Sequence, residues 1–344
     1  MQIDKSLIEK QLVLGNGDNT QISPMKYPWA WEWFIDSMAN HWTPGEIQMG
    51  KDIHTYEHVL TPNEKHIFTN TLAYLTTSDV LAMRNVSIAI AEKITAPEVQ
   101  HALIRHAAEE TVHVWTYQHC LQCLKLDEKD IYTRYLRTPE INGKFQLSNK
   151  YLKDLLEMRA LENKDDVEKF LYGYIFFSLI FEGVWFYNDF SPIFSMKRRN
   201  KMGSTAEQLE YIFRDEVHHV KLGTYVIRGI IEEQGIKLDL NLIKEMFDKA
   251  LAVEETYIKY ILGTGMIGYS VDQHMQQSRV ISNRRLAMLK LAPIYPDKEP
   301  AFKWLDEITG GLRKEKNFFE TRVTEYQSGA GLDFGDKTDW KPDW

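Results

Sequence analysis

At 344 residues, with 44% hydrophobic and 26% charged residues, the chain is long enough for one large helical bundle, and its ordinary globular composition excludes wholesale disorder. A formal net charge of −8 excludes a nucleic-acid backbone or an anionic membrane surface as the main partner, because both would repel it. Small molecules and other proteins remain.

The start, MQIDKSLIEK, lacks the basic start and apolar run of a secretory signal, and the chain has only two cysteines, which fits a reducing cytoplasm. The segment KYPWAWEWF, Lys26 to Phe34, gathers three tryptophans that should lie against a bundle, and NHWTPGEIQ follows as a loop. Apolar residues recurring every three to four positions then predict helices over 62–93, 97–125, 166–196, 204–233 and 239–263. Pro62 and Pro97 stand at helix starts, where a missing N–H costs least. Cys120 and Cys123 form a C-x-x-C inside such a helical run; one pair cannot complete a four-ligand zinc site, so they read as packing residues. The stretch RTPEINGKFQLSNK, 137–150, reads as a connection between two halves, with helical patterning resuming at Tyr151. The most apolar stretch, Phe170 to Phe190, has the length of a membrane span, but Glu182 and Asp189 inside it favour the central helix of a bundle. The fold class expected is all-α. The domain spans 1–325, followed by a flexible tail, 326–344, with Trp340 and Trp344, suited to docking in a groove.

Each half carries the same arrangement of acids and histidines. Asp79 precedes Glu110-x-x-His113 by 31 residues, and Glu182 precedes Glu216-x-x-His219 by 34, about one helix, a turn and part of the next. Residues three apart share a helix face, so four helices would supply six inward-pointing ligands. One acid from each of two helices plus Glu-x-x-His from two others is the pattern of dimetal carboxylate bundles. This oxygen-rich set suits iron or manganese better than structural zinc. A charge such as Glu182 in so apolar a helix needs a cation to compensate it. Asp215-x-x-His218 has the same spacing as Glu216-x-x-His219; symmetry with the first half assigns Glu216 and His219 as ligands, Asp215 as acceptor for a ligand imidazole, and His218 to structure.

Tyr117 follows His113 by four positions, one turn beyond the metals on the ligand face. Phe186 and Phe190, beyond Glu182, and Ile212, one turn before Glu216, could form a dry apolar layer there. Tyr117 is then either an oxidisable group or an ordinary core tyrosine bonded to Asp79.

In order, NHWTPGEI, TTSDVLAMRNV, AAEETVHVWTY, FEGVWFYNDF, YIFRDEVHHV and FFETRVTEY resemble the radical-generating small subunit of class I ribonucleotide reductase over most of the chain. The resemblance implies a ferritin-like bundle with additional helices, a homodimer, and the same six metal ligands. It further implies a radical at Tyr117 in the pocket of Phe186, Phe190 and Ile212, an electron and proton relay through Trp42 and Asp215, and a tail tyrosine at Tyr326. Two iron ions, or a Mn/Mn or Mn/Fe pair, would react with oxygen, and the oxidising equivalent would pass to a separate large subunit that makes deoxyribonucleotides. A manganese pair would also call for an activating flavoprotein. The rivals are a dimetal oxidase of the same bundle class acting on a bound small molecule or lipid, and a metal-storage protein, whose chains are much shorter.

Overall fold

The computed structural model describes residues 13–15 and 22–311. Tyr326, Trp340, Trp344 and the expected tail lie outside the described residues. The helices are α1 (Pro28–Ala39), α2 (Gly50–His54), α3 (Pro62–Arg84), α4 (Pro97–Cys123), α5 (Glu128–Thr133), α6 (Pro139–Glu157), α7 (Lys164–Ile175), α8 (Tyr187–Asp189), α9 (Ser191–Lys197), α10 (Gly203–Gln234), α11 (Leu240–Leu262), α12 (Val271–Met288) and α13 (Lys303–Gly311). Three wider, π-helical stretches interrupt them: Thr55–Val59, Asn85–Ile90 and Phe176–Phe186. Among the described residues there is no strand, only a bridge from Met266 to Tyr269.

Local sequence explains the main starts and stops. Thr61 caps α3 through a reciprocal box with Glu64, and Pro62 occupies the first turn. The α10 start is capped from a distance: Asp52 accepts from the backbone N–H of Ser204 at 3.2 Å and of Thr205 at 2.6 Å. That helix ends at Gly235, whose φ of 61° is the left-handed cap that glycine adopts without strain.

The ligand-bearing helices pack as two pairs. One pair is α3 with α4; the other is α10 with the π-helical stretch, and α4 meets α10 across the centre. Gly223 permits the second pairing, because a Cβ there would sit 2.0 Å from the Ser178 hydroxyl. Segment Lys164–Lys197 is long and apolar enough to cross a membrane, yet 94% of its apolar window is buried inside the protein, so it is the core of the bundle. The tryptophan-rich segment is α1, packed on α4.

The expected connection at 137–150 is instead part of α6. Pro139 starts that helix, and Ile141, Lys144, Phe145, Ser148, Leu152 and Leu155 recur at helical spacing on its buried face. Asn142, Gly143 and Asn149 mimic loop composition, while the burial of the repeating face decides the structure. Past Pro293 the chain is irregular only as far as α13.

Candidate metal centre

The six residues singled out by spacing come together. Asp79, Glu110, His113, Glu182, Glu216 and His219 are all at most 1% exposed. Single donor atoms of Asp79, Glu110 and His113 lie within 4.8 Å of one another, and so do those of His106, Glu110, Glu182 and His219, so Glu110 belongs to both groups. Glu216 also spans the two, with Oε1 3.3 Å from His113 Nδ1 and Oε2 3.7 Å from His219 Nδ1. His219 Nδ1 is 3.1 Å from Glu110 Oε1.

The donor atoms are those left without protein partners. Both oxygens of Asp79, Glu110 and Glu216, Oε2 of Glu182, and Nδ1 of His113 and of His219 are buried with no hydrogen bond. Leaving so many acceptors dry would cost several kcal/mol each if nothing bound them. Two divalent cations fit this set: four carboxylates balance their charge, and the imidazoles add nitrogen donors.

Proton affinities point the same way. Burial, then the neighbouring Glu110, pushes the Asp79 carboxyl well above its usual range. Burial pushes Glu182 up to about 7. Burial opposes charge on Glu110 too, but the neighbouring His106, His113 and His219 rings hold its carboxyl well below normal. For His113 and His219 burial disfavours the charged ring, yet Asp215 and Glu109 respectively, with the ligand glutamates, raise both well above the ordinary imidazole value. Without metal, imidazolium protons supply the positive charge that the acids demand.

Each ligand histidine is held from behind by the acid preceding the other half's motif. His113 Nε2 lies 3.3 Å from Asp215 Oδ2, and His219 Nε2 lies 3.0 Å from Glu109 Oε2. Asp215 was legible as such an acceptor. Glu109 was not, although Glu109-Glu110 and Asp215-Glu216 are matching acidic pairs. His218 stacks on Trp33 at 5.5 Å, away from the ligand atoms.

His106 is the residue that spacing missed. It stands one turn before Glu110 and is buried; its Nε2 is 2.9 Å from Glu182 Oε1 and 3.3 Å from Glu110 Oε1, and its ring stacks on His219 at 3.7 Å. Its signal in the sequence was the i−4 position on the ligand face.

Trp42 is buried and its Nε1 donates to Asp215 Oδ2 at 2.7 Å, which joins Trp42, Asp215 and His113 in one line. Tyr211 stacks on Trp42 at 5.2 Å on the outer side. Tyr117 is fully buried on α4, and burial, then Asp79, pushes its phenol well above 10. Phe186, Phe190 and Ile212 are fully buried. Phe186 meets Phe190 at 6.3 Å and Tyr74 at 6.3 Å, and no ring contact joins them to Tyr117 among the described residues. Cys120 and Cys123 are free thiols, and Cys120 Sγ donates to Gln208 Oε1 at 2.8 Å, in keeping with a packing role.

Residues 19–300 match the family model described as ribonucleotide reductase, small chain. Over 320 residues, 92% of each chain, the protein is 35% identical to the ribonucleoside-diphosphate reductase subunit beta of Chlamydia pneumoniae. The fold resembles the ribonucleotide reductase R2 subunit from Clostridium botulinum, with TM-score 0.78 at 23% identity over 87% of this chain and 94% of that one. It also resembles the dimanganese(II) NrdF of Streptococcus sanguinis, with TM-score 0.68 at 18% identity over 85% of this chain and 99% of that one. With a ferritin-like all-α bundle, a buried cluster of acids and histidines fit for metal, and a family match over most of its length, this chain belongs to the ribonucleotide reductase small-chain family.

Proposed function

We propose that this chain generates and holds the radical of a class I ribonucleoside-diphosphate reductase, with Tyr117 as the group oxidised beside two metal ions held by Asp79, Glu110, His113, Glu182, Glu216 and His219. The observation that carries this reading is the set of buried, unpartnered donor atoms on those six residues. A bound pair of iron or manganese ions would supply reaction with dioxygen and the oxidising power that the protein's own side chains lack. Either metal suits the ligands; the dimanganese relative keeps manganese, and with it an activating flavoprotein, within the proposal.

The chain's residues do the rest. Burial excludes water from Tyr117, and Asp79, the foremost charge acting on its hydroxyl, is placed to take the phenolic proton as an electron leaves the ring. Phe186, Phe190 and Ile212 would contribute dry, unreactive bulk to the core. Onward transfer starts at His113, whose bond to Asp215 and thence to the indole N–H of Trp42 offers one line for both proton and electron. Tyr326 would continue that line to the large subunit. The homodimer would bury exposed apolar residues such as Ile35 and Met38 on α1 and Ile104 on α4. No nucleic acid or membrane partner is invoked, and the reducing cytoplasm suits two free thiols. The rival oxidase would need a chamber for its substrate beside the metals; a cavity of about 690 Å³, lined by Glu92, Arg159, Lys164 and Leu161 among others, is bordered by none of the six ligands.

The test is reconstitution. The metal-loaded chain with the family's large subunit should reduce a ribonucleoside diphosphate, and neither chain alone should do so; turnover of a lipid by this chain alone would favour the oxidase.

His106 carries a separate expectation. Its bond to Glu182 Oε1 leaves only Oε2 unpartnered, so Glu182 should bind through one oxygen. In metal-loaded protein, His106→Phe should narrow the gap between the two carboxylate stretching bands as Glu182 becomes chelating. His106→Gln, which still donates, should keep it wide. An unchanged spectrum in the Phe variant contradicts this role.

A further inference from the structure

Away from the metal centre, α6 brings a second set of charges into the core. Lys144 is fully buried, and its Nζ donates to Asp189 Oδ2 at 2.5 Å and to Glu254 Oε2 at 2.6 Å. Glu254 Oε1 faces His274 Nε2 at 2.6 Å, and His274 Nδ1 faces the Tyr269 hydroxyl at 2.6 Å. Asp189, Glu254 and His274 are spaced to hold a metal ion, but the Lys144 ammonium already supplies the cation between the two acids. Its remaining side is aromatic: Nζ lies 4.0 Å from the ring centre of Tyr74, 4.1 Å from that of Tyr257 and 4.9 Å from that of Trp185.

Tyr74 links this cluster to the metal centre. It lies on α3 with Asp79, its ring is 6.3 Å from Phe186 and 5.1 Å from Tyr257, and Asp79 is among the anions acting on it, after Asp189 and Glu254. Two buried tyrosines therefore lie within the field of one ligand carboxylate. Around Tyr117 the acting charges are the anions Asp79, Glu216 and Glu110. Tyr74 too has anions near it, Asp189 and Glu254 ahead of Asp79, but it alone of the two carries a cation on its face, the Lys144 ammonium that those acids hold.

Oxidising a phenol removes one electron from the ring and one proton from the oxygen. A nearby anion favours both losses. An ammonium over the ring face opposes the first, since the negative face that attracted it becomes positive, and burial leaves little water to screen the repulsion. We infer that Lys144 selects Tyr117 as the site of oxidation by making Tyr74, and behind it Tyr257 and Trp185, hard to oxidise. The inference rests on the radical reading of the centre given above. Asp189 and Glu254 hold the ammonium in place. The barrier stands where a leak would begin. Beyond the Lys144 cage, Tyr269 has a base in His274 and stacks on Phe302 at 4.6 Å, and Phe302 meets the half-buried Trp304 at 5.5 Å, an aromatic route towards the surface.

The test compares Tyr117→Phe with the same variant carrying Lys144→Met, Asp189→Asn and Glu254→Gln, which keeps the cluster neutral. Circular dichroism and metal content check that both are folded and loaded. After exposure to oxygen, Tyr117→Phe alone should show no tyrosyl radical. The combined variant should show one that disappears on adding Tyr74→Phe, with the electron passing from Tyr74 to the oxidised centre and the proton to Asp79. Peptide mass spectrometry should find oxidised Tyr74 and Trp185 increased at least about tenfold. Tyr117→Phe with Asp189→Asn, which retains the ammonium, should show no increase. A parallel arm uses metal-free protein and a photogenerated one-electron oxidant, where the same ratio is expected. Equal yields with and without Lys144 in that arm overturn the inference. Absence of any radical in all loaded proteins overturns the radical reading instead, and the metal-free arm still decides the role of Lys144.

Discussion

Tyr117→Phe is expected to remove the organic radical signal after oxygen exposure and to bring deoxyribonucleotide formation with the large subunit down to background, with metal content and fold intact. The separation of effects follows from the site. Tyr117 is fully buried and Asp79 is the group its hydroxyl faces, so deleting that oxygen removes one interaction with a carboxylate that the metals would still hold, and should change stability by about 1 kcal/mol. The phenol is nevertheless the oxidisable group in the field of Asp79, and phenylalanine in the same space has no proton to give up. Electron paramagnetic resonance together with a turnover assay checks this; a signal that persists unchanged in the variant places the radical elsewhere.

The second large effect is a link between metal and pH. In the metal-free protein Glu182 titrates near 7 instead of its ordinary 4.5, and Asp79 is raised well above 3.8. A raised acid keeps its proton longer in the folded state than in the unfolded one. Its contribution is therefore fully present below the unfolded value and lost as pH rises through the folded value. For Glu182 alone the loss between pH 4.5 and above 7 is about 3 kcal/mol, at 1.36 kcal/mol per unit. His113 and His219, also raised, lose their contribution in the same direction. Metal-free protein should therefore melt at progressively lower temperature from pH 5 to pH 8, and loading with metal should remove most of that slope by replacing the protons with cations. Calorimetry on both forms across that range checks it; parallel curves for the two forms would mean that these carboxyls are not what the metal neutralises.

Much of this architecture is legible in the sequence. The ligand set was legible because Glu-x-x-His at helical spacing occurs twice, and because Glu182 inside an apolar run demands compensation. Asp215 followed from the same repeat. What stayed hidden depends on contacts between distant helices. Residues 137–150 looked like a loop because Asn142, Gly143 and Asn149 are common loop residues, whereas the buried face from Ile141 to Leu155 makes them helical. The π-helical turn of Phe176–Phe186 has no signature in composition, yet it sets the direction of Glu182, and Arg285 supports it by donating to the Gly183 carbonyl at 2.8 Å. His106 and Glu109 act on a ligand of the opposite half, a partnership 76 residues apart for one and 110 for the other, which no local pattern reveals. Lys144 was concealed in the same way, since only the fold shows that a lysine in an apparent loop is encircled by Tyr74, Tyr257 and Trp185.

The central claim is that two cations make these buried acids and imidazoles tolerable, and anomalous X-ray scattering from crystals of the reconstituted protein, recorded at the iron and manganese edges, tests it most directly. The account requires two peaks per chain, one among Asp79, Glu110 and His113 and the other among Glu110, Glu182 and His219, with Glu216 reaching both. A single peak, no peak, or density at Asp189, Glu254 and His274 in their place would contradict it.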